Sequence, residues 1–231
     1  MNAAILVAAG SSTRMQSSER KPFLELEGRP VLEWTCEAFD RARTVDRIVI
    51  VCHADDVERI REMAANTPAM NKVAQVISGG LERVDSVREG VAALDDEVEL
   101  VAIHDAARPL VEPDAIDRTM VQADERGSAI LAIPVTDTIK TSVDGYEVEH
   151  TLDRSVLWRA QTPQCFRLAA LREHLDRALE DGFIPTDESS MFERYSGAVS
   201  VVKGSEDNLK LTTPRDMEVA AAILRVRKAG T

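Results

Sequence analysis

Apolar residues run along this chain in two spacings that take turns. From Ala3 to Ala9 they are continuous, the pattern of a short strand buried on both faces at the centre of a parallel sheet. From residue 31 to 42 they fall instead at Val31, Leu32, Thr35, Ala38 and Phe39, one side of a helix, with Pro30 where a helix begins. The exchange then repeats, with strands expected at 47–52, 73–77, 100–103 and 129–135 and helices between them at about 55–65, 84–94 and 113–126. Later come a helix over about 168–180, a strand at 198–202 and a final helix. In that helix Thr213 is the N-cap, Pro214 takes the first position and Asp216 completes a capping box. Strands and helices that alternate in this way predict an α/β fold: a three-layer sandwich with a mainly parallel sheet and helices on both faces.

The alternation stops between Thr136 and Gln161. Two β-prone runs, 138–143 and 146–151, flank Asp144-Gly145, which is the signature of a β-hairpin. A lone hairpin cannot bury a face by itself, so an arm over about 136–158 is expected to pack on a second copy of the chain, the other reading being a flap on its own domain. At 231 residues, the whole of 1–231 is expected to be one domain carrying that arm.

Charge narrows the function. A formal net charge of -12 speaks against a nucleic-acid backbone as partner, because that needs a basic face. Anionic ligands must therefore be held by local cations. Cys36, Cys52 and Cys165 are widely spaced and suggest neither a zinc site nor a disulfide framework. With no basic flank before the N-terminal apolar run and no run of about 18 apolar residues, the expectation is a cytoplasmic chain without a membrane span.

Candidate chemistry gathers after the strands. Gly10, Ser11, Ser12 and Thr13 follow the first apolar run with side chains small enough for several N–H groups to face one anion, and Arg14 and Lys21 lie close behind. A plain tight turn with two solvated cations is the other reading of that loop. Neither the order of a Walker loop nor the three glycines of a dinucleotide fingerprint is present. In an open α/β sheet ligands bind at the carboxyl ends of strands, so this loop should converge with Gly79 to Ser86 and with His104 to Pro109. Gly79-Gly80 leaves backbone for a flat base to lie on, with Arg83, Asp85 and Ser86 nearby. Asp105 and Arg108 put a carboxylate and a guanidinium on one loop, suited to ribose or metal and to phosphate.

Taken in order, Ala8-Ala9-Gly10 through Arg14-Met15 and Lys21, Gly79-Gly80 with Arg83 and Ser86, His104 to Pro109, Asp137-Thr138 with Lys140, Arg154 with Leu157-Trp158, Gln161-Thr162-Pro163-Gln164, Thr186-Asp187-Glu188 and Asp207 to Lys210 resemble the 2-C-methyl-D-erythritol 4-phosphate cytidylyltransferases. The resemblance implies a Rossmann-like nucleotidyltransferase fold and a homodimer with exchanged arms. It implies CTP and methylerythritol phosphate as substrates, in isoprenoid precursor synthesis, with Mg²⁺ held mainly through the CTP phosphates and no protein-built metal site. Arg14, Lys21 and Lys210 would be catalytic around the phosphates. Ala8, Ala9, Gly10, Ser11, Gly80, Asp85, Ser86, Asp105 and Ala106 would bind the nucleotide. Asp105, Arg108, Thr138, Arg154, Thr162 and Thr186 would meet the substrate alcohol phosphate, some from the partner's arm. A ribitol 5-phosphate cytidylyltransferase and a nucleotide-binding regulator without turnover are the rival readings.

Overall fold

The computed structural model describes residues 1–10, 15 and 19–229. Its strands are β1 (Asn2–Val7), β2 (Glu25–Leu26), β3 (Arg29–Pro30), β4 (Arg47–Cys52), β5 (Val73–Ser78), β6 (Leu100–Asp105), β7 (Ser128–Pro134), β8 (Lys140–Thr141), β9 (His150–Thr151), β10 (Trp158–Arg167) and β11 (Ser200–Lys203). The helices are α1 (Val31–Arg41), α2 (Val57–Asn66), α3 (Arg83–Ala92), α4 (Pro113–Arg126), α5 (Leu168–Glu180), α6 (Glu188–Tyr195) and α7 (Pro214–Ala229). Seven strands make the main sheet in the order β11-β7-β10-β6-β1-β4-β5. β1 lies between β4 and β6, parallel to both, and every residue from Ala3 to Leu6 is fully buried.

The continuous apolar runs are needed because both faces are covered. Ala4 and Leu6 of β1, with Ile48, Ile50 and Cys52 of β4, pack under α1, α2 and α4. Their neighbours Ala3, Ile5, Val49 and Val51 turn to the other face, against α3, α5 and α6. A smaller cluster joins Leu26, Val31 and Leu110 to Leu211, Ala220 and Leu224, so the segment before α7 is held beside the loop after β6. The Asp216 carboxylate accepts from the N–H groups of Thr212 and Thr213, both 2.7 Å, and closes the start of α7 as expected. Among the described residues no helix is long and apolar enough to cross a membrane.

Three departures from the expected pattern have physical causes. β10 is an additional central strand, antiparallel to both β6 and β7. Its polar residues Gln161, Thr162 and Gln164 are all buried, which erases the apolar period that marks a strand. Its ladder with β7 shifts between Ala160 and Gln164, on either side of Pro163, which has no N–H to give. The second departure is α6, where only a polar segment was expected; Asp187 caps it by accepting from Ser190 N–H at 3.0 Å. Third, the hairpin pairs only Lys140 with Thr151 and Thr141 with His150. Between these pairs, Asp144 accepts from the N–H groups of Tyr146 and Glu147, and Ser142 Oγ from that of Gly145. Local side-chain bonds replace the cross-strand ladder there, so the strands are much shorter than six residues.

The seating of α3 depends on Gly90. A Cβ at that position would lie 2.7 Å from Ile5 Cγ2 and 3.0 Å from Val51 Cγ2. Gly90→Ala is therefore expected to lower stability by roughly 1–2 kcal/mol, an overpacking penalty of about 2–3, the upper part of the usual range for so close a contact, partly offset by about 1 from helix propensity. Urea midpoints at constant m-value measure it, and a variant as stable as the parent would refute this packing.

Candidate active site

The loops after β1, β5 and β6 do converge. Together with the turn at Lys21 and the segment before α7, they line a cleft of about 410 Å³ walled by Ala8, Ala9, Gly10, Lys21, Gly80, Arg83, Ser86, Asp105, Ala106 and Lys210, among others. The joins between these loops are backbone hydrogen bonds: Ala106 N–H donates to Val7 O at 3.0 Å, and Leu211 N–H to Ala107 O at 2.8 Å. Lys21 opens a single turn whose next two residues, Pro22 and Phe23, are buried. On its other side Arg20 donates to Asp56 at 2.6 Å, and the Arg59 guanidinium stacks 3.6 Å from the Phe23 ring centre. The lysine is thus fixed at both flanks while its side chain lines the cleft.

Asp105 is the electrostatic centre. Its Oδ2 lies 2.8 Å from Lys210 Nζ and 3.8 Å from Arg108 Nε, and its Oδ1 lies 3.2 Å from Arg83 Nε. Burial would raise this carboxyl, but Arg83, Lys210 and Arg108 outweigh it and hold Asp105 well below the ordinary carboxylate range. Arg83 also donates to buried Glu188 at 2.6 Å. Arg108 reaches back to the Asn208 carbonyl at 2.8 Å, and its burial lowers its affinity for a proton.

The buried polar residues of β10 hold these loops in place. Thr162 Oγ1 accepts from Asp105 N–H at 3.1 Å and lies 3.0 Å from His104 Nδ1. His104 Nε2 lies 3.2 Å from the Arg108 carbonyl, which can only accept, so Nε2 carries the proton and the Thr162 hydroxyl donates to Nδ1. Gln161 Nε2 donates to Ser205 O at 2.8 Å, and Asn208 Nδ2 donates to Thr162 O at 2.9 Å. Gln164 donates to Asp187 at 2.8 Å and accepts from Ser189 N–H at 3.0 Å. Gly204 leaves room for the same amide: a Cβ there would come within 2.3 Å of Gln161 Oε1, which would have to shift.

The expected site residues divide accordingly. Lys21, Lys210, Ala8, Ala9, Gly10, Gly80, Ser86, Asp105 and Ala106 share the cleft. Ser11 and Arg14 lie outside the described residues. Asp85 is not among the lining residues: with Glu82 it forms the capping box of α3, accepting from Glu82 N–H at 3.1 Å. Gly79 and Gly80 have packing reasons of their own, because a Cβ would lie 2.5 Å from Ser86 Oγ or 2.3 Å from Asp85 Cβ. Thr162 is buried with its hydroxyl engaged on both sides, and it supports the cleft from behind. Thr138, Arg154 and Thr186 are exposed and do not line the cleft of their own chain. Arg154 donates to Thr136 O at 2.7 Å, at the base of the arm. Gln161, Gln164, Asn208 and Glu188 carried no role expected from the sequence, although all four fall within the quoted motifs.

The family model for 2-C-methyl-D-erythritol 4-phosphate cytidylyltransferase matches residues 2–226. A relative of that description from Geobacillus kaustophilus is 42% identical over 226 residues, covering 98% of each chain. Among solved structures, the 4-diphosphocytidyl-2C-methyl-D-erythritol synthase of Anaerococcus prevotii superposes with a TM-score of 0.85 at 31% identity, covering 96% of this chain and 95% of that one. The cytidylyltransferase of Thermus thermophilus gives a TM-score of 0.78 at 29% identity, over 97% of this chain and all (100%) of that one.

Burial lowers the pKa of His104 to about 3. In the unfolded chain the same imidazole takes up a proton near its ordinary value of about 6.5. The unfolded state therefore binds more protons below that value, so the contribution of His104 is full above about pH 6.5 and is lost progressively as pH falls toward 3. Between pH 6.5 and 5, folding stability is expected to fall with a slope approaching about 1.4 kcal/mol per pH unit. Urea titrations of His104→Asn should give a flatter profile in this window; parallel profiles would contradict the assignment.

Proposed function

The chain belongs to the 2-C-methyl-D-erythritol 4-phosphate cytidylyltransferase family, and we propose that the cleft at the ends of β1, β5 and β6 is where it transfers a cytidylyl group from CTP to that phosphate. The products are 4-diphosphocytidyl-2-C-methyl-D-erythritol and pyrophosphate, a step of isoprenoid precursor synthesis. The observation that carries the assignment is the meeting of Lys21, Lys210, Arg83 and Asp105 with the ends of β1 and β6 in one cleft, in a chain whose net charge is otherwise strongly negative.

A phosphate monoester has a second pKa of about 6, so the attacking oxygen is already largely ionised at neutral pH and needs no general base. What remains is to bring two polyanions together and to stabilise charge as it shifts in line, which is work for cations and alignment. Lys21, Lys210 and Arg14 supply that charge, and the backbone of Ala9 and Gly10 offers N–H groups toward the phosphates, while the Ala8 N–H is held by Val51 O at 2.7 Å. Lys210 is held by Asp105 at 2.8 Å, ready to exchange a carboxylate for a phosphate. Gly80, Ser86 and Ala106 take the nucleoside, and Arg108 the acceptor phosphate. Asp85 and Thr162 act through the loops that they fix.

Nucleotidyl transfer of this kind uses a divalent cation, and Mg²⁺ is our assignment. Such an ion would be held largely through CTP phosphate oxygens, with Asp105 as the carboxylate of the cleft. When bound, the ion withdraws negative charge from the phosphates. A cytoplasmic setting accords with these substrates.

We assign the arm to a homodimer. Val143, Tyr146, Val148 and Val156 on the arm are 61–92% exposed, apolar surface that a second chain would cover. Thr138, Arg154 and Thr186 then complete the acceptor end of a site across the two-fold axis.

Pyrophosphate release from CTP with methylerythritol phosphate tests the reaction, and its absence would remove this reading. Lys21→Ala, and separately Arg14→Ala, is expected to lower turnover at least about a hundredfold with circular dichroism unchanged. Near-native turnover in either would overturn its role.

Mixing tests the geometry. Inactive Arg154→Ala subunits refolded with inactive Lys21→Ala subunits should give half mixed dimers, in which about a quarter of all sites regain activity. A mixture that stays inactive despite confirmed exchange rules out sharing.

A further inference from the structure

We propose that Glu188 is a positioning residue of this active site: through Arg83 it orients the Asp105 carboxylate and keeps the Arg83 charge away from the incoming phosphates. The proposal rests on the reading of the Asp105 cleft as the reaction site.

Glu188 begins α6 and is 1% exposed. Its Oε1 accepts from Arg83 Nη1 at 2.6 Å, and Arg83 Nε donates to Asp105 Oδ1 at 3.2 Å, while Asp105 Oδ2 faces Lys210 at 2.8 Å. Charges of alternating sign therefore run from α6 into the cleft. Among the described residues the buried Oε2 of Glu188 accepts no hydrogen bond. A carboxylate buried with one oxygen unpaired costs stability that an apolar side chain of similar size would not, so packing gives no reason for an acid here. Arg83 does give one. A guanidinium lining a nucleotide cleft would present its fork to phosphate oxygens, the geometry in which arginine binds them most strongly. With Glu188 on Nη1 and Asp105 on Nε, one donor of each two-point edge of the guanidinium is already taken, and Arg83 serves to hold a carboxylate.

The position of Glu188 is itself fixed from both sides of the sequence. Gln164 of β10 bonds Asp187 and the Ser189 N–H, the residues that flank it. A second contact on α6, Asp187 accepting from Ser190 N–H, closes the helix start around it. The strand that supports His104 and Asp105 through Thr162 thereby also sets the acid that aligns Asp105 through Arg83.

Glu188→Gln keeps the shape and removes the charge. In the full-length enzyme kcat is expected to fall about tenfold or more, the scale on which supporting residues act, with the KM for CTP within about twofold. Pyrophosphate inhibition should become severalfold tighter, because the released Arg83 adds a cation to the cleft; a merely structural defect would not tighten it. In an Arg83→Gln background, Glu188→Gln should cost no further activity. Unchanged kcat, additive losses, or unaltered pyrophosphate inhibition would each defeat the proposal. If Glu188→Gln does not fold, Arg83→Lys replaces it, since an ammonium cannot span both carboxylates: the same fall in kcat is expected, and unchanged kcat refutes the inference. Asp105→Asn separates the two levels. Full activity in that variant would undo the reading of the cleft, whereas its loss alongside an active Glu188→Gln would undo only the role of Glu188.

Discussion

A carboxylate at the end of a buried strand stays ionised only if cations are brought to it, and Asp105 gathers the site in this way. Its side chain is 10% exposed, and Arg83, Arg108 and Lys210 come to it from α3, from its own loop and from the segment before α7. Each cation belongs to a different stretch of chain, so meeting the electrostatic demand of one residue also sets the shape of the cleft. Removing such a partner would leave charge buried without compensation, a penalty much larger than that of a surface pair. The cluster can also bind phosphate, because a cation that faces a carboxylate has the donor geometry a phosphate needs.

The cations converge because of β10. Its three buried polar side chains reach in three directions: Gln161 to the segment ending in Lys210, Thr162 to His104 and Asp105, and Gln164 to the start of α6. Polar groups in a sheet interior are costly unless satisfied, and here their partners are Ser205 O and the N–H groups of Asp105 and Ser189, together with the side chains of His104, Asp187 and Asn208. The same bonds that make the strand tolerable hold the loops still.

Legibility from sequence followed the size of the signal. Runs such as Ala3–Ala9 and Arg47–Cys52 announced the parallel core because both of their faces are covered. Lys21, Asp105 and Lys210 were legible through position at strand ends and through the ordered motifs. β10 was not, since its apolar period is replaced by polar residues whose partners lie 23 to 58 positions away in the chain. The Asp144-Gly145 turn was legible as a turn, but its side chains bond locally and the ladder begins only at Thr141. Glu188 stood inside a quoted motif, yet its use depends on Arg83, 105 positions away.

Gly204 and Gln161 show how this limits change. A side chain at 204 would collide with the amide that secures Ser205 and Asn208, and shortening Gln161 to make room would release those groups. Either substitution alone passes through a form in which the approach to Lys210 is loosened, so the two positions are expected to vary together or not at all. For anyone redesigning this cleft, the loop from Gly204 to Lys210 is therefore not an independent module: it must be replaced with the part of β10 that it rests on.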